Sequence, residues 1–160
     1  MPKLTRTISF EATGTGHSLI QASYQYYIVE DVHSRFFDIK PIAKMLNANE
    51  LDLKICFSYQ DQSYPTNMVI MEVNLPSGYR SDVESNFEID YHDTIQRIES
   101  KNSESTIILY FDNLLANKQY CLNILADKLS DVTMAKSSAI IVYDYYNLTR
   151  SDVQFYKIQK

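Results

Sequence analysis

Residues 67–75 read NMVIMEVNL, and this apolar run decides the fold. Runs of this length that are rich in β-branched and aromatic residues predict strands. Similar runs lie on both sides of it, at residues 51–59 (LDLKICFSY), 106–111 (TIILYF), 119–126 (QYCLNILA), 138–146 (SAIIVYDYY) and 153–158 (VQFYKI). Because the runs are short and regularly spaced, the sequence predicts an all-β, antiparallel sandwich and not a series of βαβ units.

The N-terminal part of the chain carries a separate strand pattern. Residues 4–12 and 19–29 predict two strands, and TGTG at residues 13–16 predicts the turn of a hairpin between them. The two glycines are not expected to form a dinucleotide-binding loop, because that motif needs a third glycine and a following helix. A shorter strand is expected at residues 36–39, before Pro41.

One segment predicts a helix. Ser81 and Glu84 have the S-x-x-E spacing of a capping box, and Val83, Phe87 and Tyr91 recur at intervals of four. The sequence therefore predicts one short helix near residues 81–91, with Val83, Phe87 and Tyr91 on the face towards the core.

Composition and charge exclude several classes of protein. The 160 residues include 13 Tyr and 7 Phe, and the formal net charge is −5 at pH 7. Nucleic-acid binding is not expected, because it needs clustered Lys and Arg. No apolar run approaches the ~20 residues of a membrane-spanning helix, so membrane insertion is not expected either. The first residues lack the apolar core of a signal peptide, as in a cytosolic protein or a piece of a longer chain.

Catalytic and metal-binding signatures are missing from the sequence. His17, His33 and His92 are far apart and lack the paired spacing of zinc ligands. No GxSxG, HExxH, Walker or kinase motif occurs, and the acidic residues between 82 and 90 are expected to form a solvated face. We therefore expect neither enzymatic activity nor a bound cofactor or metal.

Two cysteines and one sequon remain. Cys56 and Cys121 each lie within a predicted strand and are flanked by apolar residues. The residues alone leave two possibilities open: buried free thiols, or a disulfide that joins two strands across the core in an oxidising compartment. Asn147-Leu148-Thr149 is an N-glycosylation sequon, which makes Asn147 a candidate glycosylation site if the chain is secreted.

Several motifs resemble the C-terminal domain of the alpha-2-macroglobulin and complement superfamily. They are NMVIMEVNLPSGY (residues 67–79), TIILYFDNL (106–114), AIIVYDYYN (139–147) and QFYKI (154–158). Upstream, FEATGTGHSLIQASYQYYI (10–28) resembles the last strands of the preceding CUB-type domain in insect thioester-containing proteins.

The resemblance implies a domain division, a fold and a function. Residues 1–30 would end a CUB-type domain, and residues 31–160 would form a receptor-binding domain, a β-sandwich with one helix. Such a domain is non-catalytic, packs against the thioester domain of its parent and binds receptors or partner proteins. The implied parent is a secreted, extracellular innate-immunity protein, an opsonin or a broad-spectrum endopeptidase inhibitor. Complement-type members join the corresponding strands by a disulfide, which implies a Cys56–Cys121 bond.

The chain also departs from the family. The GCGEQ thioester motif is missing, so the chain itself is not expected to bond covalently to a target. Where the helix of alpha-2-macroglobulin offers two lysines to a receptor, Val83 and Phe87 stand here, so lysine-dependent docking is not expected. The alternative function is a stand-alone secreted adhesion or carbohydrate-binding β-sandwich, because a fold does not fix a function.

Overall fold

The computed structural model describes residues 9–17, 35–61, 65–82, 87–89, 94–132 and 136–159. The chain divides into two compact units, Met1–His33 and Ser34–Lys160. In the first unit the described residues 9–17 form bends without a strand, and the rest of the hairpin predicted over residues 4–29 lies outside the described residues. The assignment of residues 1–30 to a CUB-type domain therefore stays a prediction.

The second unit is built from two β-sheets. Its described residues form eleven strands, numbered in chain order: β1 Phe37–Met45, β2 Glu50–Tyr59, β3 Val69–Asn74, β4 Tyr79–Arg80, β5 Phe87–Ile89, β6 Ile95–Lys101, β7 Thr106–Phe111, β8 Gln119–Lys128, β9 Ser138–Asp144, β10 Ser151–Tyr156 and β11 Ile158–Gln159. Sheet A has the order β11-β1-β2-β8-β4, with β5 also paired to β8, and sheet B has the order β10-β9-β3-β7-β6. These strands pair antiparallel except β1 with β11, and the predicted β-sandwich is confirmed.

Side chains at alternate positions fill the space between the sheets. In β2, every second residue from Leu51 to Tyr59 is at most 1% exposed, and the residues between them are half-buried or exposed. The core also takes alternate residues from β1, β3, β7, β8 and β9. Because successive side chains of a strand point to opposite faces, each strand contributes one row to the core and one to the outside.

The prediction of a helix near residues 81–91 is wrong for those of its residues that the structure describes. Phe87–Ile89 is strand β5, and Phe87 is the register partner of Ile124 in β8. The hydroxyl of Ser81, expected to cap a helix, instead donates to the carbonyl oxygen of Leu125 at 2.5 Å. Val83 and Tyr91 lie outside the described residues.

Strand β6 was missed by the sequence patterns, and a β-bulge explains why. Ile95 and Ile98 are three residues apart, a spacing that would place them on opposite faces of a regular strand. The register against β7 shifts between Ile95 and Arg97. The extra residue of a bulge restores the phase of the strand, so both isoleucines pack on the core.

Strand β1 also runs further than predicted. It continues through Pro41 to Met45 in unbroken register with β2, and Pro41 is the partner of Ile55. The described part of β11 pairs only with Ala43 and Lys44. Pro41 thus lies where β1 has one described neighbour, a position that tolerates a residue without an N–H group.

Candidate functional site

A disulfide lies on the outer face of sheet A. Cys56 and Cys121 are register partners in β2 and β8, are joined by a disulfide and have Cα atoms 4.1 Å apart. Both residues are half-buried, whereas the flanking Ile55 and Phe57 face the core. The bond that the family resemblance implied is therefore present, but it links neighbouring strands of one sheet and does not cross the core.

Charged residues surround the disulfide on this outer face, here called face A. They stand at alternate positions of β1 and β2: Asp38, Lys40, Lys44, Asp52 and Lys54. Lys40 Nζ lies 2.6 Å from a carboxylate oxygen of Asp38, and their side chains are 65% and 31% exposed. Face A is thus a surface of mixed charge whose charged side chains are half-buried or exposed, and one carboxylate oxygen of Asp52 is enclosed in it.

The outer face of sheet B, called face B, carries tyrosines paired with glutamates. The hydroxyl of Tyr143 in β9 donates to Glu72 in β3 at 2.8 Å, and that of Tyr110 in β7 donates to Glu99 in β6 at 3.2 Å. Arg97 forms an ion pair with Glu99, and its guanidinium carbon lies 5.9 Å from the centre of the Tyr110 ring. These contacts link β9 to β3 and β7 to β6, and they fix the orientation of the rings.

Partial burial raises the pKa values of Tyr143 and Tyr110. Desolvation, followed by the hydrogen bond to Glu72, raises the pKa of Tyr143 to about 12. Desolvation and the hydrogen bond to Glu99 also raise the pKa of Tyr110. Both hydroxyls therefore stay protonated and act as donors at neutral pH.

Apolar side chains complete face B. Ile70 in β3 and Ile108 in β7, two neighbouring inner strands, are 5% and 3% exposed. At the edge strand β10, Val153 and Phe155 are 50% and 63% exposed, and they pair in register with Ile141 and Ala139 of β9. Face B therefore passes from a polar edge at β6 to an exposed apolar edge at β10.

The loop between β9 and β10 is held by one buried carboxylate. Asp144 is 4% exposed, and its Oδ1 accepts the backbone N–H groups of Tyr146 at 2.8 Å and Asn147 at 3.1 Å. The loop presents Tyr145, Tyr146 and Leu148, which are 50%, 71% and 67% exposed. These three residues are called the loop cluster.

The beginning of β1 is fastened to β10 and its preceding loop. The N–H group of Phe37 donates to an oxygen of Asp152 at 2.8 Å. Arg150, just before β10, also pairs with Asp61, just after β2, at 3.4 Å. The guanidinium of Arg150 also lies 5.8 Å from the centre of the Phe36 ring. Desolvation raises the pKa of Asp152 despite its backbone hydrogen bonds.

The other residues singled out in the sequence do not come together. His17 is exposed, His33 and His92 lie outside the described residues, and Asn147 is exposed in the β9–β10 loop. Within the described ranges, no group of three or more His, Cys, Asp or Glu side chains could hold a metal ion. The part of the chain that the structure describes also has no helix long and apolar enough to span a membrane.

Sequence reasoning missed face B. The available signal was the tyrosine at an outward position of each of two apolar strands, TIILYF and SAIIVYDYY. The pairing of Tyr143 with Glu72 joins residues 71 positions apart, so it depends on a register that a single strand pattern does not contain.

Comparison with known proteins agrees with this architecture. The family described as A-macroglobulin receptor binding domain matches residues 64–157, which hold strands β3 to β10 and more than half of the chain. Thioester-containing protein 1 allele R1 of Anopheles gambiae is 29% identical over 164 aligned residues that cover 100% of this chain. Ovostatin of Gallus gallus is 27% identical over 91% of the chain, and a venom factor of Crotalus adamanteus is 25% identical over 99%.

The chain spans 12% of the length of the mosquito protein and 10% of that of ovostatin. It thus matches one region of much longer proteins. The family match, the two-sheet fold and the β2–β8 disulfide agree, and the chain belongs to the A-macroglobulin receptor-binding domain family.

Proposed function

We propose that the chain is the non-catalytic, C-terminal interaction domain of a larger, secreted thioester-containing protein of innate immunity. In that role it packs against the thioester domain of its parent and binds a receptor or partner protein, while the parent acts as an opsonin or a broad-spectrum endopeptidase inhibitor. Family membership and the thioester-containing relative support this proposal. The Cys56–Cys121 disulfide supports an extracellular location, since disulfides persist in oxidising compartments.

Face B is the observation that carries the proposal. Val153 and Phe155 are at least half exposed beside Ile141 and Tyr143, whereas face A carries alternating charges. The centres of protein interfaces are depleted in charged residues and enriched in aromatic ones. Face B therefore fits a partner protein with an apolar surface, and the β10 edge would contribute most to binding because its side chains are the most exposed.

The sequence of the transcript tests whether the chain belongs to a larger thioester-containing protein. We expect the reading frame upstream of this chain to encode a GCGEQ thioester motif. An upstream frame without that motif would contradict the proposal and favour the stand-alone adhesion or carbohydrate-binding function.

A binding measurement tests face B. The thioester domain from the same transcript would be titrated with the folded chain and with Phe155→Ser. We expect this variant to bind at least about tenfold more weakly, because truncation of an aromatic side chain that is buried by the partner costs on the order of 2 kcal/mol.

Ile42→Ser is the matched control. Ile42 is an apolar residue on face A and is 40% exposed, so its loss should leave the affinity unchanged. Equal weakening by both variants, or by neither, would show that face B is not the contact surface.

A further inference from the structure

The sequon in the β9–β10 loop has a folded geometry of its own. Asn147-Leu148-Thr149 is the single N-x-S/T sequence among the 160 residues. The hydroxyl of Thr149 donates to Oδ1 of Asn147 at 2.6 Å, and the backbone N–H of Thr149 donates to the same oxygen at 3.3 Å. Such an Asx-turn satisfies the amide oxygen locally. Two donors on that oxygen hold the side chain in one orientation, and the amide nitrogen that a glycosyltransferase uses belongs to an exposed residue.

The turn around the sequon is also fixed at both ends. The backbone N–H of Arg150 donates to the carbonyl oxygen of Asn147 at 2.9 Å, and that of Asp144 donates to the carbonyl oxygen of Arg150 at 3.0 Å. The buried Asp144 side chain binds the N–H group of Asn147 itself. The acceptor asparagine is therefore presented on a short, well-anchored hairpin loop.

The loop cluster lies directly beside this asparagine. The rings of Tyr145 and Tyr146 meet edge to face, with centroids 5.1 Å apart and planes at 89°. Both rings are at least half exposed, as is Leu148. A pyranose ring has one face of C–H groups, and aromatic rings pack against such apolar surfaces. The first sugar attached at Asn147 would thus have an aromatic surface within two residues.

We infer that Asn147 carries an N-linked glycan and that its first N-acetylglucosamine packs on the Tyr145–Tyr146 pair. The inference rests on the secretory location in the proposed function. The donor is an oligosaccharide on a lipid diphosphate carrier. A bond forms between Nδ2 of Asn147 and C1 of the sugar, and the bond between C1 and the diphosphate oxygen breaks. The diphosphate leaves with the electron pair, and the amide nitrogen loses one proton to solvent or an enzyme base.

Peptide mass analysis tests the attachment. The full chain would be expressed in insect cells behind a secretory leader and recovered from cells and medium, because the glycan is added before export. We expect the peptide with Asn147 to carry a glycan in the wild type and none in Asn147→Gln, and peptide N-glycosidase should convert Asn147 to aspartate.

An unmodified Asn147 would overturn the inference. Where those molecules contain the Cys56–Cys121 disulfide, they have passed through an oxidising compartment, and the proposed secretion stands. Where they are both unmodified and reduced, the proposed secretion is contradicted as well.

Thermal unfolding tests the packing on the tyrosines. Complete removal of the glycan should lower the Tm of the wild type by about 2–4 °C, a typical shift for the loss of one modest contact in a domain of this size. Trimming to a single N-acetylglucosamine should leave the Tm unchanged.

Two variants make this measurement specific. The double variant Tyr145→Ser/Tyr146→Ser should show no change of Tm on glycan removal, whereas Phe155→Ser, which removes an exposed aromatic ring further along β10, should keep the wild-type shift. The aspartate left by the enzyme is common to all three proteins. An equal shift in all three would show that the sugar does not pack on the tyrosines.

Discussion

Sheets A and B turn the same kinds of residue towards each other and different kinds outward. Their inner rows are Leu, Ile, Val, Phe, Met and Tyr side chains that are almost fully buried. Outside, face A carries lysines and aspartates around a disulfide, whereas face B carries isoleucines, tyrosines held by glutamates, and exposed apolar residues at β10. The inner rows account for the sandwich, and the outer rows distinguish what each sheet can contact.

The two faces are also fastened differently. On face A the central strands β2 and β8 are joined covalently, and the charged side chains around the bond are half-buried or exposed. On face B the side-chain contacts between strands are hydrogen bonds and ring contacts. The stability contributed by face A should therefore depend on the redox environment. The stability contributed by face B should depend on the protonation of its tyrosines.

Among the changes to the two faces, removal of the disulfide should lower the free energy of unfolding most. Cys56→Ala/Cys121→Ala opens a loop with a sequence separation of 65 residues, and we expect the free energy of unfolding to fall by about 4 kcal/mol. Denaturant unfolding of the oxidised wild type and the double variant would measure the change.

The register supplies a matched control for the disulfide. Lys54 and Asn123 are the partners two positions along the same strands and also face outward. Lys54 is exposed and Asn123 is half-buried. Lys54→Ala/Asn123→Ala should change stability by less than about 1 kcal/mol, since polar substitutions on an outer face have small effects. Similar losses from both double variants would mean that the bond contributes no more than an ordinary pair on face A.

Loss of the Tyr143–Glu72 hydrogen bond on face B should lower the free energy of unfolding by a smaller amount. Tyr143→Phe removes the hydroxyl that donates to Glu72 at 2.8 Å and keeps the ring, so we expect a loss of about 1 kcal/mol at neutral pH. Tyr145→Phe, a half-exposed tyrosine in the adjacent loop, is the control and should be nearly neutral.

The pH dependence sharpens the test of Tyr143. Desolvation and the bond to Glu72 raise its pKa from 10.0 to about 12, so the folded state favours the protonated phenol. The stabilising contribution is complete below the unfolded value of 10.0 and is lost as the pH rises towards 12. Unfolding measured across this range should show a steeper loss of stability in the wild type than in Tyr143→Phe. Parallel curves would show that Tyr143 is not the responsible group.

The strand runs were predictable, because alternating burial leaves a local pattern in each segment. The helix prediction failed for a definable reason: Val83, Phe87 and Tyr91 are spaced by four, and a multiple of two also places residues on one face of a strand. The S-x-x-E signal did not help, since Ser81 donates to Leu125, a partner 44 positions away.

The outer faces were less predictable than the core. The residues alone left the state of Cys56 and Cys121 open, and the family resemblance supplied the pairing; their outward position follows from the phase of β2 and β8. Face B needs four strands in register before Tyr143, Glu72, Tyr110 and Glu99 become neighbours. Long-range pairing of this kind is not contained in local composition.

Loss of the Lys40–Asp38 ion pair on face A should change the free energy of unfolding least. Lys40→Ala removes an ion pair whose side chains are 65% and 31% exposed, and we expect the free energy of unfolding to change by no more than about 0.5 kcal/mol. The change should shrink further in high salt, which screens exposed charges. Urea unfolding at low and high salt would measure it, with Tyr143→Phe as the reference for a contact on face B. A salt-sensitive loss above about 1 kcal/mol would show that the charges of face A form a structural network, and the contrast between the faces would no longer hold.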